Sequence, residues 1–480
     1  MTKNSAPTQP RIGVLVVAFN AATTLRSVLD RLPPTFRSCV EHVLVNDDAS
    51  GDDTFDVGLE YQRRGDLPMS IFRHAENLGY GGNQKHGYRW AIDHGLDIVV
   101  LLHGDGQYAP EVIEDIVAPI ADGRADAVFG SRMLARGAAR AGGMPMYKWL
   151  GNRILTRLQN AVTGAQLSEW HSGYRAYRVD TLAGLPLETY SDGFDFDTEI
   201  ILGLLDAHAT IGEVPIPTYY GDESCDVNGV RYAKDIMVDV VRHRVQQMGL
   251  GRATAPLDVY ELKLTPHSSH GRLLSWLSSR PPSRVLDVGC SDGRFGALAQ
   301  EQGHSVTGVD IAKHEGVADR LDAFVEADLD VGLPVEAGTE YDIVIAADVI
   351  EHTVEPTDVL RALADRLRPD GSLFVSVPNF AHWYPRTRVA LGRFDYDSRG
   401  ILDRGHLRFF TRRSLERVIA DAGMRIVRRD VVGSPIELLD DSRSGAIRIL
   451  TRLGGVVDRA AVRFWPTLFG YQFLYELRRY

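Results

Sequence analysis

The run LLHGDGQYAP, residues 101–110, closes an apolar stretch on one carboxylate, Asp105, set between two glycines with His103 before it and Gln107 after it. A carboxylate and an amide oxygen two residues apart can both reach one hard divalent cation. Magnesium or manganese held there can receive the charge of a departing diphosphate. The same spacing also suits an Asx turn, in which Asp105 only shapes the loop. Neighbouring apolar runs end in polar residues too: RIGVLVVAFN in Asn20, and EHVLVNDD in Asp47 and Asp48. Arg132 follows the apolar DAVFG, and its guanidinium fork matches phosphate oxygens. Further on, Gly289 and Gly293 of LDVGCSDGRFG bracket a turn after a strand-like run. Asp310 ends the next run, at roughly the 20-residue distance from which an acid can accept from both ribose hydroxyls. With Ser291 and Asp292 between its glycines, this turn is not the GxGxxG of a dinucleotide site.

Such residues need a frame that gathers the ends of separate runs at one edge. RIGVLVVAFN, EHVLVNDDAS and LDIVVLLHGDG have the length and β-branched content of buried strands, and TTLRSVLDRL between the first two has a helical pattern. Strand–helix–strand alternation predicts a parallel sheet with its ligand crevice beyond the carboxyl ends of the strands. A second series, SRVLDVGCSDG, HSVTGVDIA, YDIVIAADVIEH and GSLFVSVPN, repeats the plan after a connection containing Gly, Pro and Ser. A chain of 480 residues exceeds what one core usually serves. The expected architecture is α/β with two domains, residues 10–250 and 265–480, joined by a linker at 251–264.

The formal net charge of -11 argues against a nucleic-acid partner. Cys39, Cys225 and Cys290 form no CxxC pair, which speaks against structural zinc or a disulfide framework and fits a reducing cytoplasm. MTKNSAPTQP lacks the apolar core of a secretory signal, and no run approaches the ~20 apolar residues of a membrane span. Any membrane contact is expected to be peripheral, at the inner face.

Taken in order, VAFN, VNDDASGDDT, HAENLGYGGNQKHGY, HGDGQ, and GSRM with SGYRAY resemble the motifs of family 2 glycosyltransferases of GT-A fold, especially the dolichol-phosphate mannose or glucose synthase branch. The resemblance implies a nucleotide-sugar donor, UDP- or GDP-linked, and a polyprenyl phosphate or a glycan or small-molecule acceptor. It places Asn20, Asp48 and Lys85 at the donor, Asp105 and Gln107 on Mg2+ or Mn2+, and Arg132 and Arg175 at donor or acceptor phosphates. Three positions depart from the pattern: Ala21, His103 in place of the first acid of the DxD motif, and Glu169 before SGYR. His103 could favour manganese, bind phosphate when protonated, or pack. The reaction implied is inverting transfer with diphosphate leaving. A phosphate acceptor needs no base; a hydroxyl acceptor would need one, from Glu169, Asp197 or Glu199. Asp195, Asp197 and Glu199 could equally be acids placed by a helix dipole.

VLDVGCSDG, VTGVDI, EADLD, YDIVIAADVIEH and LRPDGSLFVSVPN resemble class I S-adenosylmethionine-dependent methyltransferases of Rossmann-like fold, in the group with the ubiquinone-biosynthesis enzymes. The resemblance implies that Asp287, Gly289 and Gly293 shape the methionine side of the S-adenosyl-L-methionine pocket. Asp310 would hold the ribose and Asp328 approach the adenine. His406 and His352 are candidate bases, with structural hydrogen bonding as the other reading of His352. The aromatic stretch 380–406 is expected to form an acceptor lid or an ordinary insertion.

Two segments leave their partner open. In YKWLGNRILTRLQNAV, Leu150, Ile154, Leu158 and Val162 share a helical stripe, with Lys148, Arg153 and Arg157 elsewhere, as on a helix at an anionic bilayer or one packed on the core. YAKDIMVDVVRHRVQQMG is expected to pack on the sheet. The arginines from Arg404 to Arg429 and the closing FWPTLFGYQFLYELRRY read as an amphipathic helix and an edge strand, or as contacts to lipid phosphate. The whole reads as a bifunctional enzyme that adds a sugar and methylates the same or a related product. The alternatives are a methyltransferase with a non-catalytic sugar-nucleotide-binding GT-A domain, and a non-catalytic biosynthetic scaffold. The sequence leaves the oligomeric state open.

Overall fold

The computed structural model describes residues 10–218, 229–247, 262, 264–397, 399–434 and 445–480. Cys225 and all but two residues of the expected linker lie outside them. The chain divides into two compact units between Arg244 and Val245.

The first unit is built on seven strands: β1 (Ile12–Ala18), β2 (Val40–Asp47), β3 (Met69–Arg73), β4 (Ile98–His103), β5 (Ala127–Ser131), β6 (Arg175–Arg178) and β7 (Ile211–Pro215). Their order is β3-β2-β1-β4-β6-β5-β7. β1, β2 and β4 are the three runs read from the sequence; β1 is buried throughout, as its unbroken apolar character requires. The sheet is mixed rather than wholly parallel, because β6 runs antiparallel to both β4 and β5. That reversal matters for the site. Arg175 opens β6 opposite Leu101 of β4, so the start of β6 lies at the same edge as the ends of β1, β2, β4 and β5.

The second unit has β8 (Arg284–Val288), β9 (Ser305–Asp310), β10 (Ala323–Glu326), β11 (Tyr341–Ala347), β12 (Leu367–Pro378), β13 (Met424–Val432) and β14 (Gln472–Arg479). Their order is β10-β9-β8-β11-β12-β14-β13, with β14 antiparallel to both neighbours. The amphipathic helix Arg412–Asp421 and edge strand β13 match expectation. The closing strand does not. β14 lies between β12 and β13, with Phe473, Leu474, Tyr475 and Leu477 buried.

Of the stripe on the helix Met146–Thr163, Val162 packs against the core and the other three residues face outward. Leu150, Ile154 and Leu158 are about half exposed and Met146 and Tyr147 before them more so, whereas Thr156 and Gln159 are buried. The inward face is polar because it serves a loop: Asn152 donates to Glu169, and Asn160 bonds Trp170 and the carbonyl of Leu167. The later helix Gly229–Gln247 does pack inward, through Ile236 and Val240.

Candidate active sites

At the carboxyl edge of the first sheet, β4 delivers His103, and the loop after it delivers Asp105. Asp105 Oδ1 accepts the amide of Gln107 at 3.0 Å, so the Asx turn is present. Among the described residues its second oxygen takes part in no such bond. The Gln107 side chain lies two residues on and His103 two residues before; carboxylate, amide and imidazole are donor types that suit manganese better than magnesium.

His103 packs edge-on to Tyr80 and Tyr108, and a Cβ on Gly173 would fall 2.7 Å from its ring. Burial lowers its pKa, against the pull of Asp105 and Asp197. Its Nε2 lies 3.4 Å from the Tyr80 hydroxyl, which donates to Asp197 Oδ2 at 3.0 Å. Tyr108 in turn accepts the Gly173 amide at 2.7 Å. These bonds tie the HGDGQ loop to SGYR and to FDFDTEI, segments far apart in sequence. Sequence reasoning missed Tyr80 and Tyr108, although both lie inside the motifs it singled out.

Arg132 and Glu169 pair closely. The carboxylate accepts the Arg132 amide at 2.7 Å and Nε at 2.9 Å, while an Arg132 Nη2 proton reaches the His171 carbonyl. Burial would raise the Glu169 pKa, but Arg132 and Asn152 outweigh it and lower the value. Such a carboxylate is a weak base. Arg175 is buried over the Phe129 ring and donates to the carbonyls of Ser172, Asp197 and Trp170. Its charge supports Asp197, 3.6 Å away, and the surrounding backbone. Glu199 is pushed up to about 7, first by burial and then by Asp239 and Asp195.

The expected donor residues bind the frame itself. Asp48 accepts the amides of Leu78 and Gly79 at 2.7 and 3.1 Å; burial still raises its pKa. Asn20 accepts the Gly51 amide, joining the first two loops. Lys85 holds the Tyr190 carbonyl at 2.9 Å and Asp192 at 2.6 Å. The glycines of LGYGG serve the same junction: Gly81 donates to the Asp192 carbonyl, and a Cβ there would fall 2.5 Å from that of Ser191.

In the second unit, Asp287 is the penultimate residue of β8 and Asp310 the last residue of β9. Gly289 takes φ +72°, and a Cβ there would meet Val349 at 2.5 Å. Gly293 precedes the helix Arg294–Glu301. Asp310 accepts the Ser291 amide at 2.8 Å, which holds the turn beside it. Asp287 is buried with one oxygen unpartnered, and burial with Asp310 nearby raises its pKa to about 7. An unpartnered carboxylate at a glycine turn fits a cationic ligand, as S-adenosyl-L-methionine is. Asp328 is exposed on the loop after β10, accepting the Asp330 amide. His406 is buried, its ring 4.8 Å from that of His352.

Comparison with known proteins agrees with this division. Residues 13–184 match the glycosyl transferase family 2 model, and residues 267–429 match a methyltransferase domain model. The undecaprenyl-phosphate mannosyltransferase of Micrococcus luteus is 29% identical over 214 residues, 43% of this chain and 82% of that protein. The ubiquinone biosynthesis O-methyltransferase of Aeromonas salmonicida is 33% identical over 121 residues, 22% of this chain and 49% of that protein. Among solved structures, glucosyl-3-phosphoglycerate synthase from Mycobacterium tuberculosis aligns at 18% identity over 51% of this chain and 82% of its own, with a TM-score of 0.38. The chain thus joins two transferase domains, a family 2 glycosyltransferase domain followed by a methyltransferase domain.

Proposed function

We propose that the chain is a bifunctional enzyme that transfers a sugar from a nucleotide sugar to a polyprenyl phosphate and methylates the same or a related product with S-adenosyl-L-methionine. The observation that carries the first half is convergence: Asn20, Asp48, Asp105, Arg132 and Arg175 come from five segments to one edge of a mixed sheet. Asp105, with Gln107, would hold magnesium or manganese, which offsets the charge of the leaving diphosphate when bound. Arg175 is proposed to position Asp197 and the SGYR turn rather than to touch phosphate, since its donors meet backbone carbonyls. A phosphate acceptor supplies its own anionic oxygen, which agrees with a Glu169 carboxylate held ionised and paired to Arg132, a poor base. The Micrococcus relative, named for transfer to undecaprenyl phosphate, supports this acceptor class.

A lipid acceptor calls for a surface that meets the bilayer. The exposed Met146, Tyr147, Leu150, Ile154 and Leu158, with Arg153 and Arg157 exposed on the same helix, suit peripheral contact with an anionic membrane. Among the described residues no helix is long and apolar enough to cross one.

His103, neutral and packed between two tyrosines, favours a second reading in which the first domain binds a sugar nucleotide without turning it over. Calorimetry and turnover with UDP-sugars and GDP-mannose, with and without manganese, separate the two. Binding without transfer to polyprenyl phosphate would favour the second, and failure to bind any nucleotide sugar would refute both. S-adenosyl-L-methionine binding is measured in the same samples.

A further inference from the structure

The second unit holds a cluster outside the donor residues just described. The short helical turn Ile350–His352 follows β11, and Glu351 on it is 1% exposed, with neither carboxylate oxygen hydrogen-bonded among the described residues. A buried carboxylate in that state costs several kcal/mol unless a proton or a cation meets it. Two imidazoles stand beside it. His352 Nδ1 lies 3.0 Å from the carbonyl of Gly405, and His406 Nδ1 lies 3.3 Å from the carbonyl of Ile401. A carbonyl only accepts, so each ring carries its proton on Nδ1 and keeps a lone pair on Nε2. Metal-binding histidines are oriented by this kind of bond. One atom from each of Glu351, His352 and His406 lies within 4.8 Å of the other two.

We propose that Glu351, His352 and His406 bind a first-row divalent cation at the mouth of the methyl-donor pocket. Two imidazoles with one carboxylate select such an ion over magnesium or calcium, which prefer oxygen alone. Ligand atoms about 2.1 Å from a shared ion stand roughly 3–4 Å from one another, so the cluster closes by about 1 Å. Negative charge nearby favours the ion: Asp348 accepts from Ser376 and Gln472 at the end of β11, and Asp403 precedes the Gly405 turn. The site also joins two segments, because the Glu351 carbonyl accepts the amides of Leu407 and Arg408 and His406 sits on that returning chain. Val349, two residues before Glu351, packs on Gly289. If S-adenosyl-L-methionine binds at Asp287 and Asp310, as read above, the ion stands where the methyl acceptor enters.

The test uses the full chain carrying Asp105→Asn, which removes the metal site read in the first unit. Titration with Mn2+ and Co2+ is expected to give one bound equivalent, with visible cobalt absorption typical of nitrogen ligation. Adding Glu351→Gln or His406→Gln should weaken binding at least tenfold and abolish the absorption, while S-adenosyl-L-methionine affinity stays within threefold. Unchanged metal binding in both variants overturns the proposal. Should Glu351→Gln lose S-adenosyl-L-methionine binding through misfolding, the His406→Gln result decides. Metal bound here without any S-adenosyl-L-methionine binding would uphold the site and refute the methyl-donor reading. The reverse result would refute the site alone.

Discussion

Asp105 shapes its own loop with one oxygen, and the other lies outside that bond, so the Asx turn and the proposed cation site at HGDGQ are compatible. Asp105→Asn preserves the bond to the Gln107 amide and removes the charge. Sugar transfer should fall at least about 100-fold, the scale of losing one preorganised electrostatic partner, with thermal stability unchanged. His103→Asp should raise the rate with Mg2+ relative to Mn2+; an unchanged ratio would put His103 outside the metal's ligands. Asp287 gives a pH prediction. Its folded value of about 7 exceeds the usual carboxylate range, so it favours the free folded state at low pH and loses that contribution as pH rises through 7. A cationic ligand reverses the preference. S-adenosyl-L-methionine affinity should therefore climb between pH 5 and 7 and level off above, with about one proton released on binding at pH 6. Calorimetry in buffers of different ionisation enthalpy measures that proton, and Asp287→Asn should flatten the profile. Ligand-type residues such as Asp105 and Asp287 were legible from the sequence because strand ends mark them. Their partners were not: Tyr80 meets Asp197 across 117 positions, and Arg132 meets Glu169 across 37, and no local pattern encodes such pairs.

At the scale of elements, periodicity located the helix Met146–Thr163 but not its orientation. An apolar stripe normally marks the buried face. Here Asn152 and Asn160, which bond the Glu169–Trp170 turn, hold the opposite face inward. Leu150→Glu with Ile154→Glu should therefore leave the melting temperature within a few degrees of the parent and weaken sedimentation with vesicles containing phosphatidylglycerol at least fivefold. A large loss of stability with unchanged vesicle binding would return the stripe to a packing role. β6 and β7 escaped the sequence reading because they have only four and five residues, too short for alternation to show. β14 was misplaced for a different reason: its polar ends hide five consecutive buried residues.

Across the whole molecule, each half has its own sheet, core and set of strand-end acids, so the two transfers should fail separately. Asp105→Asn should stop sugar transfer and leave S-adenosyl-L-methionine binding intact, and Asp310→Asn should do the opposite. If the halves serve one product and the methyl acceptor is the lipid-linked sugar rather than the nucleotide sugar, transfer precedes methylation. Supplied with nucleotide sugar, polyprenyl phosphate and S-adenosyl-L-methionine, the parent chain should yield a methylated glycolipid, and the Asp310→Asn chain its unmethylated precursor. The Asp105→Asn chain should yield neither, then regain methylation when given the precursor made by the Asp310→Asn chain. Mass spectrometry of the lipid fraction distinguishes these products. Methylation of the bare polyprenyl phosphate by the Asp105→Asn chain at the parent rate would show that the second domain acts first, and the proposed sequence of reactions would have to be reversed.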